Sequence, residues 1–225
     1  MKANYCLNVN TNGNKKLVNS EKIRFIIWNL PAVKTCPFRT PMCEKSCYAR
    51  KAERVYPQVL PSREKNYADS LESDFVNRMI YTIEKELDSK KAQGKLTVFR
   101  IHESGDFYNL EYTKKWIEIA KHFENDKRII FLAYTKSIEY IMKCGYNTPE
   151  FPRNFVVRSS LWKDTTPELV NLTVKEQFPI YTALTMPELV QVKHKYNAHI
   201  CKCENCANCR MCWNSTIKNI ICEIH

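Results

Sequence analysis

The sequence predicts an α/β protein, either a partial (βα) barrel or an open, mostly parallel sheet covered by helices. From Ile23 onward, short apolar runs alternate with longer segments whose apolar residues recur at helical spacing. The 225 residues fit about five or six βα units, whereas a full eight-unit barrel usually needs about 250 residues. In such folds the active groups belong at the carboxyl ends of the strands.

The strands are predicted from apolar runs that are short and are followed by polar clusters. They are IRFIIW at 23–28, LTVFRIH at 96–102, RIIFLAY at 128–134, FVVRSS at 155–160 and IYTALT at 180–185.

The helices are predicted from apolar periodicity and from capping residues. The segment 62–94 has an apolar residue at every fourth position on one face and Gly94 at its end, so we expect one or two helices there. Asn109 suits an N-cap, and Thr166 followed by Pro167 begins another helix. The other predicted helices span 110–123, 137–143, 166–177 and 186–196. We divide the chain into an α/β domain, 1–197, and a cysteine-rich segment, 198–225, packed on it.

Composition narrows the classes of function. The 35 Lys and Arg residues outnumber the 24 Asp and Glu residues, which gives a net charge of +11. This charge favours contact with nucleic acid, although a genome-wide bias towards lysine codons would give the same balance. Neither a P-loop nor a dinucleotide-binding fingerprint is present. The start of the chain has no signal-peptide pattern, and no apolar run reaches about 18 residues, so we expect a cytoplasmic protein without a membrane span.

Three cysteines, Cys36, Cys43 and Cys47, follow the first predicted strand, and the next cysteine is Cys144. In a reducing cytosol, clustered cysteines more often bind metal than form disulfides. Three thiolates hold three irons of a cubane cluster and leave the fourth iron open, whereas structural zinc is nearly always four-coordinate. We therefore predict an open-site [4Fe-4S] cluster, with zinc (Glu44 as a further ligand) or free thiols as alternatives.

This position after the first strand resembles that of the cysteine loop in radical S-adenosylmethionine enzymes. There the open iron chelates the amino and carboxylate groups of S-adenosylmethionine. The spacing differs, because six and then three residues separate the cysteines here, against three and two in most of that superfamily. The glycine-glycine-glutamate strand end is also missing, and Ser104–Asp106 is the candidate substitute. The resemblance implies a radical-SAM-like fold and S-adenosylmethionine as a cofactor.

Five stretches resemble a phage and plasmid family, the "gene product eighty-eight" family. They are LPAVKTCPFRTPMCEKSCYARK, SREKNYADS, FRIHESGDFYNLEYTKKWIEIA, LAYTKS and CANCRMCW, and they lie within about residues 28–213. The resemblance implies a phage or mobile-element origin, hence a host cytoplasm, and an iron–sulfur cluster. It supplies no reaction.

A second group of cysteines lies near the end of the chain, in CKCENCANCRMCW. Its members are Cys201, Cys203, Cys206, Cys209 and Cys212. Repeated two-residue spacing lets thiolates converge on one centre, as in ferredoxins. The family resemblance covers the last three of them, and the upstream ligand is Cys201 or Cys203. We predict a second [4Fe-4S] cluster, with a zinc knot as the alternative, and we expect Cys222 to be a core residue.

Polar residues at the predicted strand ends are the other candidates. We predict that His102, Glu103 and Asp106 are catalytic, with His102 moving protons, unless they only cap the next helix. The predicted cofactor-binding residues are Asn29, Lys34, Tyr48, Ser104, Tyr134, Lys136, Arg158 and Ser159, of which Lys136 and Arg158 suit a carboxylate or phosphate. Tyr48, Tyr56, Tyr67, Tyr108 and Trp213 are aromatic residues near basic ones that suit stacking on bases, unless they are core.

Two functions remain open. The first is an iron–sulfur enzyme, radical-SAM-like or otherwise redox, that acts on nucleic acid or nucleotides and takes electrons from a donor such as ferredoxin or flavodoxin. The second is a non-catalytic nucleic-acid-binding protein whose zinc or iron–sulfur sites are structural. The sequence favours the first, because three cysteines make a poor scaffold site.

Overall fold

The computed structural model describes residues 5–11, 15–184, 198–201, 204–214, 216–217 and 219–223. The strands in these residues are β1 Ile23–Trp28, β2 Leu96–Ile101, β3 Ile129–Thr135, β4 Phe155–Leu161, β5 Ile180–Leu184, β6 His199–Cys201 and β7 Asn219–Glu223. The helices are α1 Pro41–Lys45, α2 Tyr48–Val55, α3 Val59–Leu71, α4 Phe75–Leu87, α5 Leu110–His122, α6 Ile138–Lys143, α7 Pro167–Lys175 and α8 Cys206–Cys209, followed by a 3₁₀ turn, Met211–Trp213.

The described strands form one seven-stranded sheet in the order β1-β2-β3-β4-β5-β7-β6. Every pair in it is parallel, and the sheet is open and curled into a half-barrel. The predicted α/β class and mostly parallel sheet are therefore confirmed. The strands of the C-terminal segment, β6 and β7, belong to the same sheet as β1–β5, and β7 inserts between β5 and β6.

The outer face of the sheet carries the main hydrophobic core. Alternate strand residues such as Trp28, Phe99 and Phe131 are fully buried there against the helices. Helix α4 contributes Phe75 and Met79 from its predicted apolar face, also fully buried. Burial of each large side chain of this kind contributes about 1.5–3 kcal/mol, so this face supplies most of the stability.

The inner face is the face of the sheet opposite those helices. Phe25, Val98 and Leu132 lie on it and pack against Ala207 and Trp213 of the C-terminal segment. Cys206 and Cys212 are thereby held inside the curve of the half-barrel.

Capping residues act largely as predicted. The Asn109 side chain accepts a hydrogen bond of 2.8 Å from the Tyr112 N–H at the start of α5. Thr166 caps α7, with Pro167 in its first turn. The helical end expected at Gly94 is wrong, because α4 ends at Leu87 and turns follow it.

The sequence also missed several short elements. Helices α1 and α2 lie within the loop that carries Cys36, Cys43 and Cys47, called the cysteine loop below. Strands β6 and β7 lie in the C-terminal segment, and with them the described sheet has more strands than the expected five or six. The predicted helix 186–196 lies outside the described residues. None of the described helices is both long enough and apolar enough to cross a membrane.

Candidate metal centre at the carboxyl edge of the half-barrel

The three N-terminal cysteines lie on two short helices and the turn before them, just beyond β1. The Cys36 N–H donates to the Val33 carbonyl at 3.1 Å. Cys43 is inside α1, where its N–H donates to the Thr40 side chain at 3.2 Å, and Cys47 is the N-cap of α2. The two helix starts therefore fix the backbone positions of the second and third thiols.

The loop after β2 packs against the residues that lead into the cysteine loop. Gly105 has a φ of +85°, and a Cβ added to it would lie 2.6 Å from Thr35 Oγ1 and 2.7 Å from Leu30 Cβ. Only glycine permits both this backbone conformation and this close approach. Asn29 Oδ1 accepts the N–H groups of Glu103 and Ser104 at 2.8 and 2.9 Å, and so joins the two loops.

The three thiols lie close enough to act on one another electrostatically. Burial, the nearby Asp106 carboxylate and the other two cysteines raise the pKa of Cys36 to about 12. Burial also raises the pKa of Cys43, while the ammonium group of Lys136, within hydrogen-bond reach of its sulfur, counteracts that shift. A thiolate at Cys36 therefore needs a compensating positive charge, such as a metal centre supplies.

Lys136 is positioned by two neighbouring strands. Its side chain is 6 % exposed. Its Nζ lies 3.2 Å from Ser160 Oγ, and its backbone N–H donates to Asp106 Oδ2 at 3.0 Å. The structure thus places a buried cation, contributed by the carboxyl end of β3, beside Cys43.

Both carboxylate oxygens of Asp106 accept hydrogen bonds from neighbouring loops, so the side chain supports the site from its edge. Its Oδ1 accepts hydrogen bonds from the Thr135 hydroxyl and, at 2.8 Å, from the Phe107 N–H. Burial raises the pKa of this carboxyl, although these hydrogen bonds oppose the shift. Its hydrogen bonds hold the loop after β3 against the loop after β2, which favours a positioning role over the predicted catalytic one.

Two contacts that the sequence did not predict hold the outer side of the cysteine loop. Asp164, which follows β4, accepts the Met42 N–H at 2.7 Å, and Phe38 packs edge-on against Tyr140 of α6 at 5.3 Å. Residues 42 and 164 are far apart in the sequence, so no local pattern would have paired them.

The donor set fits a thiolate-ligated centre. Cysteine sulfur is soft and favours zinc or iron–sulfur clusters over magnesium or calcium. No three Cys, His, Asp or Glu side chains among the described residues come close enough to hold a single ion. All ten described cysteines are free thiols.

Two predicted site residues point away from the cysteines, into the outer core. His102 is 2 % exposed, contacts the ring of Phe107, and places Nε2 2.8 Å from the Tyr112 hydroxyl. Burial and then the charge of Arg100 lower the pKa of His102 to about 3, so the ring is neutral. Ser159 hydrogen-bonds to Thr173 of α7 at 2.8 Å. The structure therefore places His102 and Ser159 away from the three cysteines, and their predicted roles in proton transfer and cofactor binding stay predictions.

Four other predicted residues lie around the cysteine loop in supporting positions. Ser104 Oγ donates to the Leu30 carbonyl at 2.8 Å. The Tyr48 hydroxyl donates to the Glu103 carbonyl at 2.7 Å and leaves the ring 57 % exposed. Lys34 pairs at the surface with Glu64 at 2.6 Å. Together with Asn29, these contacts shape the wall of the site; Lys136 is the predicted cofactor-binding residue whose head group reaches a cysteine of the trio.

The remaining two predicted cofactor-binding residues, Tyr134 and Arg158, lie on the inner face with the C-terminal cysteines. Tyr134 lies within hydrogen-bond reach of the Cys212 sulfur. Arg158 is fully buried, and its guanidinium donates to four backbone carbonyls, including those of Cys212 at 2.6 Å and Asn214 at 3.1 Å. Arg158 thus anchors the C-terminal segment, and its expected role as a carboxylate or phosphate ligand stays a prediction.

The C-terminal thiols also influence one another. Burial and the charges of Cys212, Cys201 and Cys209 raise the pKa of Cys206 to about 12. Cys203 lies outside the described residues. The structure therefore has two groups of cysteines: one at the carboxyl edge of the sheet, and one on its inner face.

Comparison with known proteins identifies the family. The profile described as Gene product 88 matches residues 6–215. The chain is 28 % identical over 198 residues to the Gene 88 protein of Mycobacterium phage D29, covering 80 % of this chain and 78 % of that protein. It is 30 % identical over 108 residues to the Gene 88 protein of Mycobacterium phage L5, covering 45 % of this chain and 43 % of the relative. No solved structure matches the chain. The chain belongs to the Gene product 88 family.

Proposed function

We propose that this protein is an iron–sulfur redox enzyme of the radical S-adenosylmethionine type, with its reactive [4Fe-4S] cluster bound by Cys36, Cys43 and Cys47. One observation carries the proposal: three cysteines lie within electrostatic reach of one another, beside a buried lysine, at the carboxyl edge of a curled parallel sheet. That edge is where α/β folds of this kind place their active groups.

The residues of the chain have distinct roles in this proposal. The three cysteines bind three irons, and such a cluster, when bound, supplies one-electron reduction and one iron position without a protein ligand. Lys136 donates a hydrogen bond towards the Cys43 sulfur and offsets part of the negative charge of the thiolates. Asp106 and Asn29 hold the supporting loop in place.

The C-terminal cysteines bind a second cluster in this proposal. They lie on the inner face, and Tyr134 links the two regions, because it contacts Cys212 and precedes Lys136 by two residues. Two residues along a strand span about 7 Å. This proximity suits passage of electrons, taken from a donor such as ferredoxin or flavodoxin, from the inner cluster to the outer one.

Metal analysis tests the N-terminal site. Protein purified without oxygen is assayed for iron, sulfide and zinc, in wild type and in the triple variant Cys36→Ala/Cys43→Ala/Cys47→Ala. Cys144→Ala is the matched control, since Cys144 is a partly buried cysteine at the C-cap of α6. We expect the triple variant to lose one cluster's iron and sulfide, and the control to lose none. Unchanged iron in the triple variant, or zinc at this site in wild type, would refute the proposal.

Addition of S-adenosylmethionine tests the reaction type. The reduced wild-type protein should show a changed electron paramagnetic resonance spectrum on addition and should release 5′-deoxyadenosine, and the triple variant should show neither. If wild type shows neither effect while retaining its iron, the chain is an iron–sulfur protein of another kind.

The second candidate, nucleic-acid binding, has one specific observation in its favour. Helix α2, whose N-cap is Cys47, presents the exposed basic side chains of Lys51 and Arg54 beside the site. Its C-cap residue, Tyr56, is aromatic and 54 % exposed. Basic residues attract phosphates, and exposed aromatic rings stack on unpaired bases.

Binding to a fluorescent single-stranded oligonucleotide tests this candidate. The double variant Lys51→Glu/Arg54→Glu should weaken binding and reduce the slope of log K against log salt by about 2. The control Lys90→Glu/Lys91→Glu changes exposed charges in the turn after α4 at the opposite end of the sheet and should bind as wild type does. Equal losses in both variants would show that net charge alone, and not this surface, attracts the oligonucleotide.

A further inference from the structure

Cys222, expected in the core, lies directly opposite another cysteine. It is the register partner of Cys201 across the parallel strands β7 and β6. Register partners on neighbouring strands point to the same face of a sheet, and their backbones are about 4.8 Å apart. The two thiols therefore face the same space.

That space is the inner face, where other C-terminal cysteines collect. The Tyr181 hydroxyl lies within hydrogen-bond reach of Cys222, and the Tyr181 ring contacts the Tyr134 ring at 4.5 Å between centroids. Tyr134 in turn contacts Cys212. Cys222 and Cys212 are thus joined through a pair of touching tyrosines, although nine residues separate them in the sequence.

Cys206 and Cys212 belong to this group, whereas Cys209 lines the surface beside it. Both Cys206 and Cys212 pack against the inner-face core formed by Phe25, Val98 and their neighbours. Cys209 lines a surface pocket with Glu204, Asn205 and Asn208. Cys209 is not among the residues that pack against that core, although the C-x-x-C-x-x-C pattern predicts it as a ligand.

The charges around the group match thiolates that bind a metal centre. Arg158 is fully buried beside Cys212, and Arg100 lies over the Tyr134 ring, with its guanidinium carbon 3.6 Å from the ring centroid. Four backbone carbonyls already compensate the burial of Arg158, and a nearby negative charge would stabilise its cation further. Four cysteines around a cluster carry net negative charge, which the two guanidinium groups would offset.

We propose that Cys201, Cys206, Cys212 and Cys222 bind a [4Fe-4S] cluster on the inner face of the half-barrel, with Cys222 in place of Cys209. The inference rests on the proposed function in taking a second cluster as given, but it is independent of the chemistry at Cys36, Cys43 and Cys47. The ligands come from three separate parts of the described chain: strand β6, the α8 region and strand β7.

Paired substitutions test the ligand set by counting iron and sulfide. Cys222→Val keeps the apolar character that a core residue needs but removes the thiolate, and the smaller Cys222→Ala avoids the overpacking that the larger valine side chain causes. We expect each to lose one cluster, whereas Cys209→Val keeps both. Far-ultraviolet circular dichroism and thermal unfolding confirm that the variants are folded.

Wild-type protein gives a second readout that does not depend on how the variants fold. Iron is removed with a chelator, and alkylation of each cysteine is followed by mass spectrometry. The alkylation rate of Cys222 should rise on removal of its metal bond, because the released thiolate is the nucleophile, while that of Cys209 stays unchanged. Iron retained in Cys222→Val, or a rate that rises at Cys209 and not at Cys222, would overturn the assignment.

The outcomes separate this inference from the proposed function. The triple variant of Cys36, Cys43 and Cys47 removes the N-terminal site alone. If it retains a cluster that Cys222→Val then removes, the inner-face site stands whether or not the N-terminal site is an enzyme. If the triple variant carries no iron while wild type does, the inner-face site is refuted. Zinc in place of iron and sulfide at the inner face would also refute the assigned cluster.

Discussion

The backbone N–H of Asp106 donates a hydrogen bond of 3.1 Å to the carbonyl of Thr35. Thr35 immediately precedes Cys36, so the loop after β2 sets the position of the first cysteine. The contact is possible because Gly105 lies against Thr35 with no side chain between them. The position of Cys36 in the candidate metal site therefore depends on residues that are not among the proposed ligands.

Gly105→Ala should destabilise the fold strongly. The new Cβ would meet Thr35 Oγ1 and Leu30 Cβ, in a backbone conformation that L-residues rarely adopt. We expect a loss of roughly 3 kcal/mol, about 1 from the positive φ and about 2 from the clash. Urea unfolding measures this loss. Gly94→Ala is the matched control, because Gly94 also has positive φ but nothing within 4 Å of the added Cβ, so it should cost about 1 kcal/mol. Equal losses would mean that the close approach is unimportant.

Asn29→Ala should loosen the same pair of loops. The substitution leaves the N–H groups of Glu103 and Ser104 without their acceptor in a largely buried place. Two such losses cost about 2–3 kcal/mol in the free energy of unfolding. Asn8→Ala, which removes an exposed hydrogen bond to Ser62, should change stability by less than about 0.5 kcal/mol. A loss at Asn29 no larger than that at Asn8 would contradict the bracing role.

Much of the architecture could be predicted from the sequence because it is encoded locally. The apolar runs gave β1 to β5 nearly to the residue, and Asn109 and Thr166 identified two helix starts. The insertion of β7 between β5 and β6 was not predictable, because it depends on pairing between distant segments.

The candidate site shows where local patterns fail. Ile101 faces the outer core, so strand alternation would turn His102 to the inner face; its φ of +63° breaks the alternation and sends the ring outward. Arg158 and Ser159 are adjacent on β4, so their side chains point to opposite faces of the sheet. The sequence prediction placed both in one cofactor site because it did not identify which residue faces which side. The sequence predicted that Lys136 and Cys43 lie at the same edge of the sheet, but not that their side chains lie close together.

The buried neutral histidine should make stability depend on pH. The pKa of His102 is about 3 in the folded protein and about 6.5 in an unfolded chain, so as pH falls below 6.5 the unfolded state gains a proton that the folded state does not. Between pH 7 and 5 this should cost wild type about 2 kcal/mol of stability. His102→Asn keeps a residue that tolerates positive φ but does not titrate, so its stability should fall by about 2 kcal/mol less over that range. Urea unfolding at several pH values gives both slopes, and equal slopes would show that the histidine is not held neutral.

Arg158→Leu should detach the C-terminal segment from the inner face. The guanidinium is the donor for the carbonyls of Met211, Cys212, Asn214 and Ile217, and leucine would leave these acceptors unpaired. We expect a loss of roughly 3–5 kcal/mol, together with faster hydrogen exchange between residues 206 and 214. Arg158→Lys keeps the charge but not the planar fork of donors, so it should rescue the loss only in part. Arg153→Leu, at an exposed position, should leave both stability and exchange as in wild type. Full rescue by lysine would show that charge alone holds the segment, whereas partial rescue assigns its position to the arginine's hydrogen-bond geometry.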